Sequence, residues 1–259
     1  MGYFINEDGQ RIFYEDQGVG HALIFIHPPG MGRKVFAYQH ELSQHFRLIL
    51  PDLSGHGDSD TLTGNPGIED YAKELLELVD HLKLDQVFIF GYSAGGSVAQ
   101  EFAIQFPDRV KGLILSGAFP KVNTRLLKLE FLAGMKWLKH NPLSLARLLS
   151  SSHFKHHETK VEQFHHILKS DVDVWYAFYR NSLTYDCTRQ LYKLSMPLLL
   201  LYGTRAEWIN HQAPFYHSCP QANLVVVDKA YHQLPATHSD VVNQAVIDFF
   251  KRSYVHKNK

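Results

Sequence analysis

Val87-Phe88-Ile89-Phe90-Gly91-Tyr92-Ser93-Ala94-Gly95-Gly96 is the stretch on which the reading of this chain turns. Four apolar residues without polar alternation suit a strand covered on both faces, and the apolar run Ser97, Val98, Ala99 and Phe102 that follows suits a helix. Between them lies Gly-x-Ser-x-Gly, in the strand, turn and helix context that gives this motif its meaning. A serine at the tip of so sharp a turn is held in a strained backbone conformation, so the residues two before and two after it must be small. Gly91 and Gly95 satisfy that demand. The turn lifts Ser93 Oγ clear of the sheet, and the helix start behind it aims backbone N–H groups at developing negative charge. Ser93 is therefore the candidate nucleophile.

Working outward, similar short apolar runs occur at Ala22–Ile26, Leu48–Leu50, Leu113–Leu115, Leu198–Tyr202 and Leu224–Val227. Amphipathic helices lie between them. The clearest places Ile68, Tyr71, Leu75, Leu78, Val79 and Leu82 on one face. This alternation predicts an α/β fold, a mostly parallel central sheet with helices on both faces. Tyr3–Asn6 and Arg11–Glu15 flank a Gly-containing turn and read as an antiparallel hairpin. From Phe119 to Lys193 no strand-like run appears, so residues 119–193 read as a helical cap inserted into a core formed by 1–118 and 194–259. Val242, Ala245, Val246 and Phe249 mark the inner face of a closing helix over Val241–Phe250.

Composition narrows the function. The 259 residues, 45% hydrophobic and 13% aromatic, supply a sizeable core. Lys plus Arg and Asp plus Glu both number 26, so the total charge gives no long-range field for nucleic acid or an anionic membrane. A small, weakly charged, hydrophobic substrate is the favoured partner. The amino terminus lacks a basic segment followed by an apolar stretch, and no apolar run approaches the roughly 20 residues of a bilayer span. Cys187 and Cys219 are the only cysteines, which is no disulfide framework and suits the cytoplasm.

On the elbow and four further stretches the chain resembles the α/β-hydrolase superfamily: Phe25-Ile26-His27-Pro28-Pro29-Gly30, Pro51–Ser59, Phe106–Val110 with Gly112–Leu115, and Tyr202-Gly203-Thr204. The resemblance covers nearly the whole chain apart from the cap. It implies a catalytic histidine after the last apolar run, where His232 stands. His232 is the candidate base, because histidine ionises nearest neutrality, and His238 is a weaker competitor. The family's usual acid position is occupied by Ala206, and Glu207, one residue on, is the candidate acid. The alternative acid site seen in some relatives is Ser116-Gly117-Ala118. The oxyanion hole is assigned to the N–H groups of Ala94 and Gly30, since Pro29 has none to offer. His56 and Asp52 are assigned to holding loops together.

The resemblance, with serine at the elbow, implies an esterase or lactonase acting through an acyl-enzyme on a small hydrophobic substrate. No metal or cofactor is called for. A serine nucleophile argues against the carboxylate chemistry of haloalkane dehalogenases and epoxide hydrolases. Two alternatives stand beside it. One is carbon–carbon bond hydrolysis by a similar triad, and the other a hydrolase-fold small-molecule receptor or regulator with little turnover and a protein partner. Phe154, Phe164, Trp175, Tyr176, Phe178 and Tyr179 are candidates to roof a pocket over Ser93. His153, His156, His157, His165 and His166 read as a solvated histidine-rich helix rather than a metal site.

Overall fold

The computed structural model describes residues 2–61 and 66–255. Eight strands form one sheet: β1 (Gly2–Ile5), β2 (Arg11–Gln17), β3 (Ala22–Ile26), β4 (Arg47–Pro51), β5 (Val87–Tyr92), β6 (Val110–Ser116), β7 (Leu198–Gly203) and β8 (Ala222–Val227). Their spatial order is β1-β2-β4-β3-β5-β6-β7-β8. The β1–β2 and β2–β4 pairs are antiparallel and all others parallel. Adjacent strand residues feed opposite layers. Ile24, Ile26 and Ile89 join a core with α1 (Ile68–His81) and α2 (Gly95–Gln105). Leu23, Phe25 and Phe88 join a second core with the helical segment Arg33–Gln44 and α9 (Ser239–Val255). That double burial is why the strands lack polar alternation. β8 departs from it: Leu224 and Val226 are about half exposed, because an end strand has a neighbour on one side only.

Strand order reverses at β3, which sits between β4 and β5. A crevice opens beyond the carboxyl ends of parallel strands at such a point. The loop after β3 and the elbow after β5 both end there. Four helices separate β6 from β7: α3 (Arg125–His140), α4 (Pro142–His153), α5 (His157–Ile167) and α6 (Val172–Thr184). Their starts are chemically marked. Thr124 Oγ1 accepts from Leu127 N, Asn141 caps α4 ahead of Pro142, and Asp171 accepts from the amides of Asp173 and Val174.

These helices meet the core unequally. Gln163 of α5 donates to the Met31 carbonyl at 2.9 Å, and Asn181 of α6 to that of Pro66 at 2.7 Å. Phe178 packs on Tyr71 with ring centroids 4.9 Å apart. The α3–α4 pair instead stands over the crevice. The short α7 (Glu207–Asn210) and α8 (Leu234–Thr237) follow β7 and β8. No helix among the described residues is long and apolar enough to cross a membrane.

Candidate active site

Ser93 has φ +52°, the left-handed backbone expected at a strained turn tip. Its amide donates to the Ser116 carbonyl at 2.9 Å, which ties the tip to β6. A Cβ on Gly91 would lie 2.7 Å from Gly96 Cα and from Ala99 Cβ, so strand and helix do nearly touch there. The constraint on Gly95 comes from elsewhere: its Cβ would lie 2.5 Å from the Ile26 carbonyl at the end of β3.

His232 Nε2 is 2.8 Å from Ser93 Oγ. The structure thus brings together two residues 139 positions apart, in the geometry a base needs to take a hydroxyl proton. Burial, with a smaller repulsion from His153, pushes the imidazole down to about 4. The ring is therefore neutral at physiological pH. Its other nitrogen, Nδ1, is buried and has no hydrogen-bond partner among the described residues. Gly117, with φ +57°, lies against that edge, and a Cβ there would fall 2.6 Å from Nδ1. Any larger residue at 117 would displace the imidazole.

Glu207 does not reach this nitrogen. Ala206 is buried and Glu207 exposed at the first position of α7, because consecutive residues leaving a strand point in different directions. Glu207 forms no side-chain hydrogen bond or ion pair among the described residues. The loop itself is in place: Arg205 N donates to the Ala230 carbonyl at 2.9 Å, two residues before His232. The loop therefore runs beside His232, with the Ala206 methyl at the position where the resemblance implies a carboxyl. Ser116, at the alternative position, is also buried with an unpartnered Oγ.

Ser93, Ala94 and His232 line a cavity of about 270 Å³. Pro28, Pro29 and Met31 form its wall on the β3 side. Gly30 is not part of that wall: it packs under the Trp175 indole, and its carbonyl accepts from Ser170 Oγ at 3.1 Å. Positive φ at Gly30, +76°, turns the chain away between the two wall segments. Ala94 immediately precedes α2 beside Ser93 and lines the cavity.

The roof differs from the aromatic set read from sequence. Of those six aromatics only Tyr179 lines the cavity. Phe154 packs on Tyr38, Trp175 on Gly30 and Phe178 on His56 and Tyr71. Leu127 and Phe131 of α3 and Leu145 and Leu149 of α4 supply the roof instead. Two polar groups missed in the sequence also face it. His153 Nε2 meets the Tyr92 hydroxyl at 2.9 Å, behind the elbow. Glu130, the single acidic residue of α3, accepts from Trp208 Nε1 at 3.0 Å, and burial raises its pKa. Its isolation among basic residues was the available signal.

The histidine-rich segment is not a uniformly solvated helix. His153 ends α4 and is buried, whereas His157 begins α5 and is exposed, so their spacing of four does not place them on one helical face. His166 is buried against Asp52, with Nε2 3.0 Å from Oδ1. Arg33 Nη1 also bonds Asp52, Arg33 N donates to it at 2.7 Å, and Asp58 N does so at 2.9 Å. Burial raises the Asp52 pKa, but His166 and Arg33 outweigh it and hold the carboxyl well below its ordinary range. Asp52, Asp58 and His166 bring potential ligand atoms within 4.8 Å of one another. Arg33 and Lys169 already supply positive charge there, at 2.9 Å and 2.6 Å from Asp58. Nearby, His27 Nε2 accepts from Leu53 N at 3.0 Å, and burial pushes this histidine down to about 3. Asp52 and His27 bond across loops, His56 Nδ1 meets the Ser54 carbonyl at 3.0 Å within its own loop, and the His238 ring meets Thr237 Oγ1 at 3.0 Å.

Comparison with known proteins agrees with this fold. A sequence profile of the alpha/beta hydrolase fold matches residues 21–239. The chain is 35% identical over 123 residues to a 2-hydroxy-6-oxo-2,4-heptadienoate hydrolase of Pseudomonas putida, covering 46% of this chain and 45% of that one. It is 25% identical over 253 residues to an (E)-2-((N-methylformamido)methylene)succinate hydrolase of Acinetobacter baylyi, covering 90% and 91%. The match to an uncharacterized protein of Mycobacterium tuberculosis spans only 33% of that protein's length. Among solved structures, a thermophilic esterase from Thermogutta terrifontis superposes with a TM-score of 0.82 at 26% identity over 96% of each chain. With the sheet order, the elbow and the family profile in agreement, the chain belongs to the α/β-hydrolase fold family.

Proposed function

We propose that the protein is a serine hydrolase that cleaves a small hydrophobic carboxylic ester or lactone through an acyl-enzyme on Ser93. The contact of 2.8 Å between His232 Nε2 and Ser93 Oγ, at the floor of a largely apolar cavity, carries this reading. His232 takes the serine proton as Oγ attacks the carbonyl, then returns it to the leaving alkoxide. Ala94 N–H receives the oxyanion, a contact worth about 3 kcal/mol. Helices between residues 119 and 193 serve as the cap that excludes water. Gly30 is assigned no part, because Pro28, Pro29 and Met31 stand in the cavity wall in its stead. Glu207 is likewise left out, so the machinery is a Ser–His pair with Ala206 in the acid's usual place.

Two further readings each have an observation behind them. The name of the Pseudomonas relative favours carbon–carbon bond hydrolysis of a dienoate by the same pair. The unpartnered Nδ1 of His232 favours a ligand-binding regulator with little turnover. Fluorophosphonate labelling, a series of p-nitrophenyl esters and a 2-hydroxy-6-oxo-dienoate separate the three. Labelling of Ser93 with measurable ester turnover is expected, and Ser93→Ala lowers that turnover by at least about 10⁴ while leaving the fold intact. Rapid labelling with no turnover of any substrate supports the regulator. Ester hydrolysis that survives Ser93→Ala refutes the mechanism.

A further inference from the structure

The balanced total charge conceals a division. Residues 119–193 hold 12 Lys and Arg against 6 Asp and Glu, although the chain as a whole has 26 of each. Within α3 the basic residues are Arg125, Lys128, Lys136 and Lys139, and the only acid is Glu130. All four are exposed, and none has a carboxylate partner within 4.0 Å among the described residues.

The same helix is apolar on its outer surface. Its inner face uses Leu127, Phe131, Met135 and Leu138, as an ordinary packed helix does. Yet Leu126, Leu129, Leu132 and Trp137 are also on it, exposed to between 41% and 60%. Leu148 of α4 adds another exposed side chain. Trp137 and Leu148 are partly exposed and also line the Ser93 cavity, so the patch is continuous with the cavity's lining. The α5–α6 half of the cap, clamped to the core by Gln163, His166 and Asn181, carries no comparable cluster of large leucines.

We propose that the outer face of α3, with the rim residue Leu148, is a docking surface for an anionic lipid bilayer. Leucines and a tryptophan interleaved with lysines and an arginine that no carboxylate neutralises are the composition of helices that lie in a membrane interface. The apolar side chains enter the headgroup boundary, and the cations pair with lipid phosphates that the protein's own carboxylates leave free. The positive charge selects this occupant over a second copy of the chain, because two such faces brought together by a two-fold axis would oppose eight cations that have no carboxylate partner. Docked in this way, the cavity lining at Trp137 and Leu148 faces lipid. An acyl chain then passes from bilayer to cavity without crossing water. That consequence rests on the proposed reading of the Ser93 cavity; docking does not.

Co-sedimentation of the Ser93→Ala protein with vesicles separates the two, since it reads binding without turnover. Binding to mixed phosphatidylcholine and phosphatidylglycerol vesicles at least about tenfold tighter than to phosphatidylcholine alone is expected. Lys128→Gln with Lys136→Gln lowers that binding about 25-fold, at about fivefold per charge. Leu126→Asp with Leu129→Asp abolishes it. None of these four side chains lines the cavity, so turnover of a soluble p-nitrophenyl ester by the otherwise wild-type protein is unchanged, which also reports folding. Equal sedimentation with and without anionic lipid overturns the proposal. So does binding that survives both double variants, or a dimer in solution that Leu129→Asp dissociates while vesicles are ignored.

Discussion

His166 is buried and His232 half-buried, and both place Nε2 near an oxygen of another segment, but the two histidines have opposite surroundings. His166 meets the carboxylate of Asp52, which Arg33 also holds. His232 meets the hydroxyl of Ser93, and its second nitrogen meets nothing among the described residues. The chain therefore builds a buried His–Asp pair, but uses it to fasten α5 to the loops after β3 and β4. Where attack on a carbonyl would benefit from such a pair, it has Ala206. The two sites share side-chain chemistry and differ in what the second shell supplies.

The largest expected effect breaks the structural member of this comparison. Asp52→Asn leaves Arg33 and His166 facing a neutral amide in a buried site, at a cost of about 3–5 kcal/mol. Thermal melting followed by circular dichroism is expected to show a drop in Tm of about 10 °C. An unchanged Tm would mean that the cluster does not hold the cap to the core. Acid acts in the same direction: the Asp52 pKa is depressed in the folded state, so its contribution is present above the unfolded carboxylate range and lost as pH falls.

Next in size is a change that would make the two sites alike. Ala206→Asp offers His232 Nδ1 the acceptor it lacks. A carboxylate there fixes the tautomer and stabilises the imidazolium formed during attack, an effect reaching about 10⁴ in kcat where it has been removed from a complete triad. A gain of at least about 10² is expected in ester kcat, with KM little altered. The smallest effect sharpens the contrast by elimination. Glu207→Gln, at an exposed position, should leave kcat within about twofold of wild type, and a loss of 10² or more would restore Glu207 to the triad.

Much of the fold was legible because both sheet faces are covered: strands that feed two cores become nearly continuous apolar runs, and five of the eight strands stand out on that basis, with β8 apolar although half exposed. The exposure of Leu224 and Val226 was not, since an end position belongs to strand order rather than to any local pattern. Ser93 announces itself through glycines that the elbow's close approaches require. His232 was found among 17 histidines only by its place after the last strand. Glu207 was drawn into the site by adjacency in sequence, but a half-turn of backbone sends Ala206 inward and Glu207 out. Burial of His153 and His166 depends on Tyr92 and Asp52, which lie 61 and 114 residues away, so no spacing within the segment could reveal it. The roof was misread for a related reason: Trp175 and Phe178 of α6 pack on the core, and Leu127, Phe131, Leu145 and Leu149 of α3 and α4 take the cavity beside Tyr179.

In the proposed mechanism His232 acts as a half-buried base with no carboxylate behind it. The pH dependence of kcat/KM for a short p-nitrophenyl ester tests this most directly, because only neutral imidazole can accept the serine proton and its pKa reports what surrounds it. With burial holding His232 at about 4, activity in the wild-type protein should stay level from about pH 8 to about pH 5.5 and fall only as pH drops through about 4. Ala206→Asp should move that limb to higher pH, since a carboxylate favours the protonated ring. A wild-type limb already at or above pH 6.5 that shifts downward on Glu207→Gln would contradict the claim and show a complete triad.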